Sequence, residues 1–184
     1  MAPLRPAAEA VISSPEVTAI AQTAAARTAS PPRVERTRFC TRCAATAGDP
    51  DAQSVPFGFD RVCGRCGMGV MLSAPQKALP GPGAAFVVVT REGRIPAVSE
   101  PAEPLIGEER GLVGMPLGSA LASTDGDDRL ARQVARAAGA GREVTETTLT
   151  PVLQAGDNPG KVGARISNCG PPRAALIVLE RASI

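Results

Sequence analysis

The second half of the chain carries clear hydrophobic patterning. The run "AAFVVVTREGRI" (residues 84–95) is rich in β-branched residues around Phe86 to Val89. A turn at Glu92-Gly93 follows, then a second short strand that Pro96 confines to a sheet edge or a strand end. Residues 101–121 read as short helical turns broken by Gly107, Gly111 and Gly114. The one clear helix is "DGDDRLARQVARAAGAG". Leu130, Val134, Ala137 and Ala138 fall on one of its faces, Arg129, Arg132 and Arg136 gather on another, Asp127 and Asp128 suit its first turn, and Gly139 and Gly141 end it. Three strands close the pattern: "REVTETTLTPVL" (142–153), "GKVGARISN" (160–168) and the continuous apolar run "RAALIVLE" (173–180). Turn signals at Gly156-Asp157-Asn158-Pro159 and Gly170-Pro171-Pro172 separate them. The last strand and the one at Phe86–Val89 are therefore expected to be central and covered on at least one face.

The first half reads differently. Residues 1–34 are rich in Ala and Pro and poor in large apolar side chains, which predicts a disordered tail with at most one short helix opened by Ser14, Pro15 and Glu16. Residues 35–73 hold four of the five cysteines. The stretch "APQKALPGPG" (74–83) has the composition of a linker and leads into the domain that begins at residue 84.

Strand, strand, short helices, longer helix and three strands is an α+β order built from antiparallel hairpins. Residues 84 to about 181 resemble a PAS domain. "FVVVTREGRI" takes the place of its opening hairpin, "AEPLIG" and "LVGMPL" of its short helical segments, "RLARQVARAAGAG" of its connecting helix and "PPRAALIVLE" of its closing strand. Ser99 stands where many members of that family carry Asn, and Pro96 falls within the second strand. The resemblance implies a five-stranded antiparallel sheet with short helices. It also implies a role in sensing or protein interaction, through a homodimer or a protein partner, with a small apolar ligand as the remaining candidate for its pocket.

Composition narrows the chemistry. The chain has no His, Trp or Tyr, which removes the commonest general base and metal ligand and most aromatic stacking platforms. With 20 Lys and Arg against 18 Asp and Glu, no strong global field draws it to nucleic acid or to an anionic membrane. The N-terminus has no apolar core behind a basic end, and no apolar run approaches membrane-spanning length, so the chain is read as cytoplasmic. In that reducing compartment paired cysteines point to metal before disulfides.

Cys40 and Cys43 are followed by 19 residues and then by Cys63 and Cys66, which falls within the C-x2-C-x15–20-C-x2-C spacing of structural zinc sites. A two-residue gap lets both sulfurs of a tight turn reach one ion, and two such turns complete a tetrahedral shell. Gly64 and Gly67 permit the turn conformations that such knuckles need. The segment resembles a zinc ribbon holding Zn2+. Its apolar residues, Phe39, Phe57, Phe59, Val62, Val70 and Leu72, are too few to fold it without metal. Iron, a redox dithiol pair and structural disulfides remain as alternatives.

Arg36, Arg38, Arg42, Arg61 and Arg65 near the cysteines leave open a nucleic-acid contact in a transcription accessory. Glu35, Asp49, Asp51 and Asp60 oppose it. Cys169 in "SNCGPP" lacks the histidine a nucleophile would use, Glu108, Glu109 and Asp125 to Asp128 read as surface and capping residues, and no glycine-bearing stretch matches a phosphate loop. The expectation is a non-enzymatic regulatory or sensor protein. The alternatives are nucleic-acid binding through the ribbon and a thiol redox or zinc switch.

Overall fold

A computed structural model describes residues 35–46, 61–139, 143–152 and 160–180. The expected tail at 1–34, the side chains of Asp49, Asp51, Phe57, Phe59 and Asp60, and the turn at Gly156–Pro159 lie outside the described residues.

Strands β1 (Arg36–Cys40) and β2 (Met71–Pro75) pair antiparallel, with Phe39 opposite Leu72 and Cys40 opposite Met71. The remaining strands are β3 (Ala85–Val89), β4 (Ala97–Val98), β5 (Leu121–Ser123), β6 (Thr145–Pro151), β7 (Val162–Cys169) and β8 (Ala174–Glu180). They form one antiparallel sheet in the order β4-β3-β8-β7-β6-β5. Between β4 and β5 lie α1 (Glu103–Ile106) and α2 (Glu109–Leu112), and between β5 and β6 lies α3 (Asp127–Gly139). The architecture is mixed α+β, with a curled antiparallel sheet and few short helices.

The sheet has six strands rather than the five expected. The sixth, β5, pairs Leu121 with Pro151 and Ser123 with Leu149, occupying the edge of β6. Leu-Ala-Ser has no β-branched residue to announce a strand, so the pairing arises from the open edge of β6 rather than from local preference. Pro96 acts as expected: β4 begins just after it, spans two residues and lies at the other edge. Ser99, fully buried behind β4, accepts the Phe86 N–H at 2.8 Å through Oγ and donates its own N–H to the Phe86 carbonyl at 3.0 Å.

The run in β8 is apolar because both faces of that strand are covered. Ala175, Ile177 and Leu179 join Val87, Val89, Leu149 and Ile166 in a core closed by α1, α2 and α3. The helix contributes the four residues its periodicity predicted, Leu130, Val134, Ala137 and Ala138. On the opposite face Ala174, Leu176 and Val178 join Phe86 and Val88 beneath Phe39, Ala44, Leu72 and Ala74 of the cysteine module. The first strand pair thus roofs the sheet. The first part of the 74–83 stretch takes part in that roof: β2 runs to Pro75, a 3-10 turn follows at Gln76–Ala78 with Ala78 buried, and Leu79 packs against the same core, while residues 81–83 are exposed. Ser73 and Gly170 exchange both backbone hydrogen bonds, at 2.9 and 3.0 Å, tying β2 to the end of β7.

Phe39 meets Phe86 edge to face, with ring centroids 5.7 Å apart and an interplanar angle of 77°. Such pairs contribute about 0.5–1.5 kcal/mol beyond the area they bury. Phe39→Leu retains apolar bulk and is expected to lower stability by about 1 kcal/mol in a denaturant titration. An unchanged midpoint would mean that the ring contact contributes nothing.

Candidate metal centre

The two Cys-x-x-Cys turns are built alike. In the first, at the end of β1, the Ala44 N–H returns to the Cys40 carbonyl at 3.2 Å. In the second, the Gly67 N–H returns to the Cys63 carbonyl at 2.9 Å. The residue after the second cysteine is left-handed in both, Ala44 at φ 60° and Gly67 at φ 67°. Gly67 thus fills the role the sequence suggested, while the matching position in the first turn uses alanine. The turns are held together by Thr41, whose N–H reaches the Val70 carbonyl at 2.9 Å and whose Oγ1 accepts the Val70 N–H at 3.0 Å.

This geometry gathers all four predicted sulfurs. Those of Cys40, Cys43, Cys63 and Cys66 lie within 4.8 Å of one another. The Cys40–Cys66 separation is 3.6 Å and the Cys43–Cys63 separation 3.9 Å. A tetrahedral ion with Zn–S bonds of about 2.3 Å sets its sulfurs about 3.8 Å apart. The residues therefore fit a metal ion. Backbone N–H groups converge on the same sulfurs: those of Arg42 and Cys43 on Cys40 at 3.3 and 3.5 Å, and that of Gly69 on Cys66 at 3.3 Å. Such donors support thiolate charge.

The four thiols are not equivalent. Burial pushes the Cys40 thiol far up and raises that of Cys43, against the pull of nearby backbone N–H groups. Burial also acts on Cys66, but the N–H groups of Met68 and Gly69 and the thiols of Cys40 and Cys43 outweigh it and bring that thiol down to about 7.

A scan of protein families and searches of curated proteins and of solved structures find no match to this chain.

Two residues important to the site escaped the sequence reading. Gly69 has no room for a side chain, because a Cβ there would sit 2.2 Å from the Cys40 sulfur and 3.0 Å from the Arg42 backbone nitrogen. Arg42, expected on a basic surface, turns instead toward the larger sheet and pairs with Glu109 at 2.8 Å and Glu103 at 3.7 Å. Arg36 is also engaged, donating to Asn168 Oδ1 at 2.9 Å and to the Ser73 carbonyl at 2.7 Å. Cys169 stands apart from the metal centre, buried beneath Phe39 and Leu72, and burial pushes its thiol up to about 12 against the pull of Arg36. Among the described residues no helix is long and apolar enough to cross a membrane.

Proposed function

We propose that the chain is a non-enzymatic regulatory protein in which the four cysteines hold one zinc ion as a structural element, beside a PAS-like domain that senses a small molecule or contacts a protein partner. The observation that carries this reading is the joint one: four convergent thiols in a small module whose apolar face roofs the sheet. A closed shell of four thiolates leaves no coordination position for substrate, so the metal's contribution is folding free energy. In this protein that free energy also fixes the cover over Phe86, Val88, Leu176 and Val178. The PAS-like part of the reading rests on the order of elements, with the opening and closing strands β3 and β8 adjacent and the short helices on one face.

Arg42, paired with Glu103 and Glu109, is withdrawn from the nucleic-acid alternative, which then has to rest on the exposed Arg36, Arg38, Arg61 and Arg65. Protein purified without added metal is expected to contain about one zinc per chain. It is also expected to self-associate in light scattering and to leave a labelled DNA duplex unbound at about 50 mM salt. Absence of zinc, with thiols that cycle through disulfides, would replace this reading with the redox switch, and tight, salt-sensitive duplex binding would replace it with the transcription accessory. The lowered, partly exposed Cys66 thiol is the observation that favours the redox switch as second reading.

A further inference from the structure

Arg42 lies inside the first Cys-x-x-Cys turn, yet most of its polar contacts lie outside it. Its N–H points at the Cys40 sulfur at 3.3 Å. Its carbonyl accepts the Glu100 N–H at 3.0 Å, at the start of the 3-10 turn that leads into α1. Its guanidinium reaches Glu109 of α2 at 2.8 Å and Glu103 of α1 at 3.7 Å. The second oxygen of Glu109 accepts the Val98 N–H of β4 at 3.2 Å, and Glu103 accepts the Glu109 N–H at 3.3 Å. One knuckle residue thus touches a sulfur of the metal centre on one side and the β4, α1 and α2 segment on the other.

The segment it touches is weakly supported by its own structure. Strand β4 has two residues at the sheet edge, where Glu109 holds the Val98 N–H, and α1 and α2 are single turns of four residues each. With so few backbone bonds of their own, these elements are held by the burial of Val98, Ala102, Ile106 and Leu112 and by side-chain contacts such as those of Arg42, so a bias on those contacts shifts their packing.

We propose that Arg42 couples occupancy of the four-thiol centre to the packing of β4, α1 and α2, making that edge of the sheet responsive to the metal. The inference rests on the metal reading above. A metal bound at Cys40 and Cys43 fixes the backbone between them. That backbone sets where the Arg42 carbonyl and guanidinium point, and hence whether Glu100, Glu103 and Glu109 are held. Arg42 is a positioning residue here, since it ligates nothing itself. Coupling of this kind is reciprocal: whatever the metal adds to the edge, the edge returns to metal affinity.

Hydrogen exchange on the full chain, zinc-loaded and after chelation, tests this together with a zinc titration against a chromophoric chelator. Amides of residues 98–113 are expected to exchange about tenfold more slowly in the loaded chain, within the usual range of allosteric coupling. Arg42→Gln removes the guanidinium contacts but keeps the carbonyl bond to Glu100, and is expected to keep about one zinc per chain while losing most of that metal-dependent difference. Glu109→Gln leaves the knuckle untouched and is expected to lower zinc affinity by about the same tenfold factor. A purely structural role for Arg42 would speed exchange equally with and without metal, and that result overturns the proposal. So does a loaded chain, at one zinc per chain, whose residues 98–113 exchange at the chelated rate. A chain that takes up no zinc removes the metal reading itself, and the coupling falls with it.

Discussion

Gly69→Ala is expected to reduce zinc content from about one per chain to near zero. The added methyl would stand 2.2 Å from the Cys40 sulfur and 3.0 Å from the Arg42 nitrogen. The first neighbour is a side chain whose place the metal centre dictates, and the second is backbone, so neither yields without opening the shell. The Gly69 N–H is also the one that reaches the Cys66 sulfur at 3.3 Å, so displacing the turn removes charge support from a second ligand. Gly67→Ala is the matched control two residues away. Nothing lies within 4 Å of its Cβ position, and its φ of 67° asks only for a left-handed alanine, which Ala44 already provides in the sister turn. It is expected to cost about 1–2 kcal/mol and to keep its metal. Zinc released by a thiol reagent and read with a dye separates the two. Equal zinc in both variants would mean that the close approach of Gly69 to Cys40 does not govern the site.

The contrast between these glycines shows which features local sequence can reveal. Gly67 was legible because it follows a cysteine in a knuckle and adopts the positive φ such turns require. Gly69 is required by a sulfur 29 positions earlier, a contact that exists only once the two knuckles face each other. The convergence of the four cysteines was legible from their spacing, since a shared ion would ask the same geometry of both turns. Arg42 was not: a charge beside a cysteine reads as solvated surface until folding brings Glu109, 67 residues onward, to 2.8 Å. The helix α3 followed from periodicity, the strands β3 and β8 from their apolar runs and β7 from the alternation of Val162, Ala164 and Ile166, whereas the double-sided burial of β8 depended on where the cysteine module would settle. That module covers the sheet, and the continuous run in "AALIVL" records both covers at once.

Acid is expected to strip the metal and alkali to weaken the metal-free chain, so the two forms should respond to pH in opposite senses. In the metal-free fold burial raises the Cys40 and Cys43 thiols above their ordinary value of 9.0. A group whose folded value lies above its unfolded one holds its proton more tightly when folded. Its stabilisation is full below about pH 9 and is lost as pH rises further. Metal reverses the requirement, because it binds the thiolates. At neutrality at least the Cys40 and Cys43 protons must leave, and once pH falls below about 7 the Cys66 proton must leave as well. Two protons released per ion make affinity fall about a hundredfold for each pH unit of acidification, about 2.7 kcal/mol, and a third steepens the fall further. A chelator competition between about pH 6 and pH 8 reads that slope directly, and thermal melts with and without zinc read its consequence for the roof over the sheet. A slope near zero would mean that the thiols do not hold the ion as thiolates. A slope of two or more would mean that at least two thiol protons leave as the ion binds.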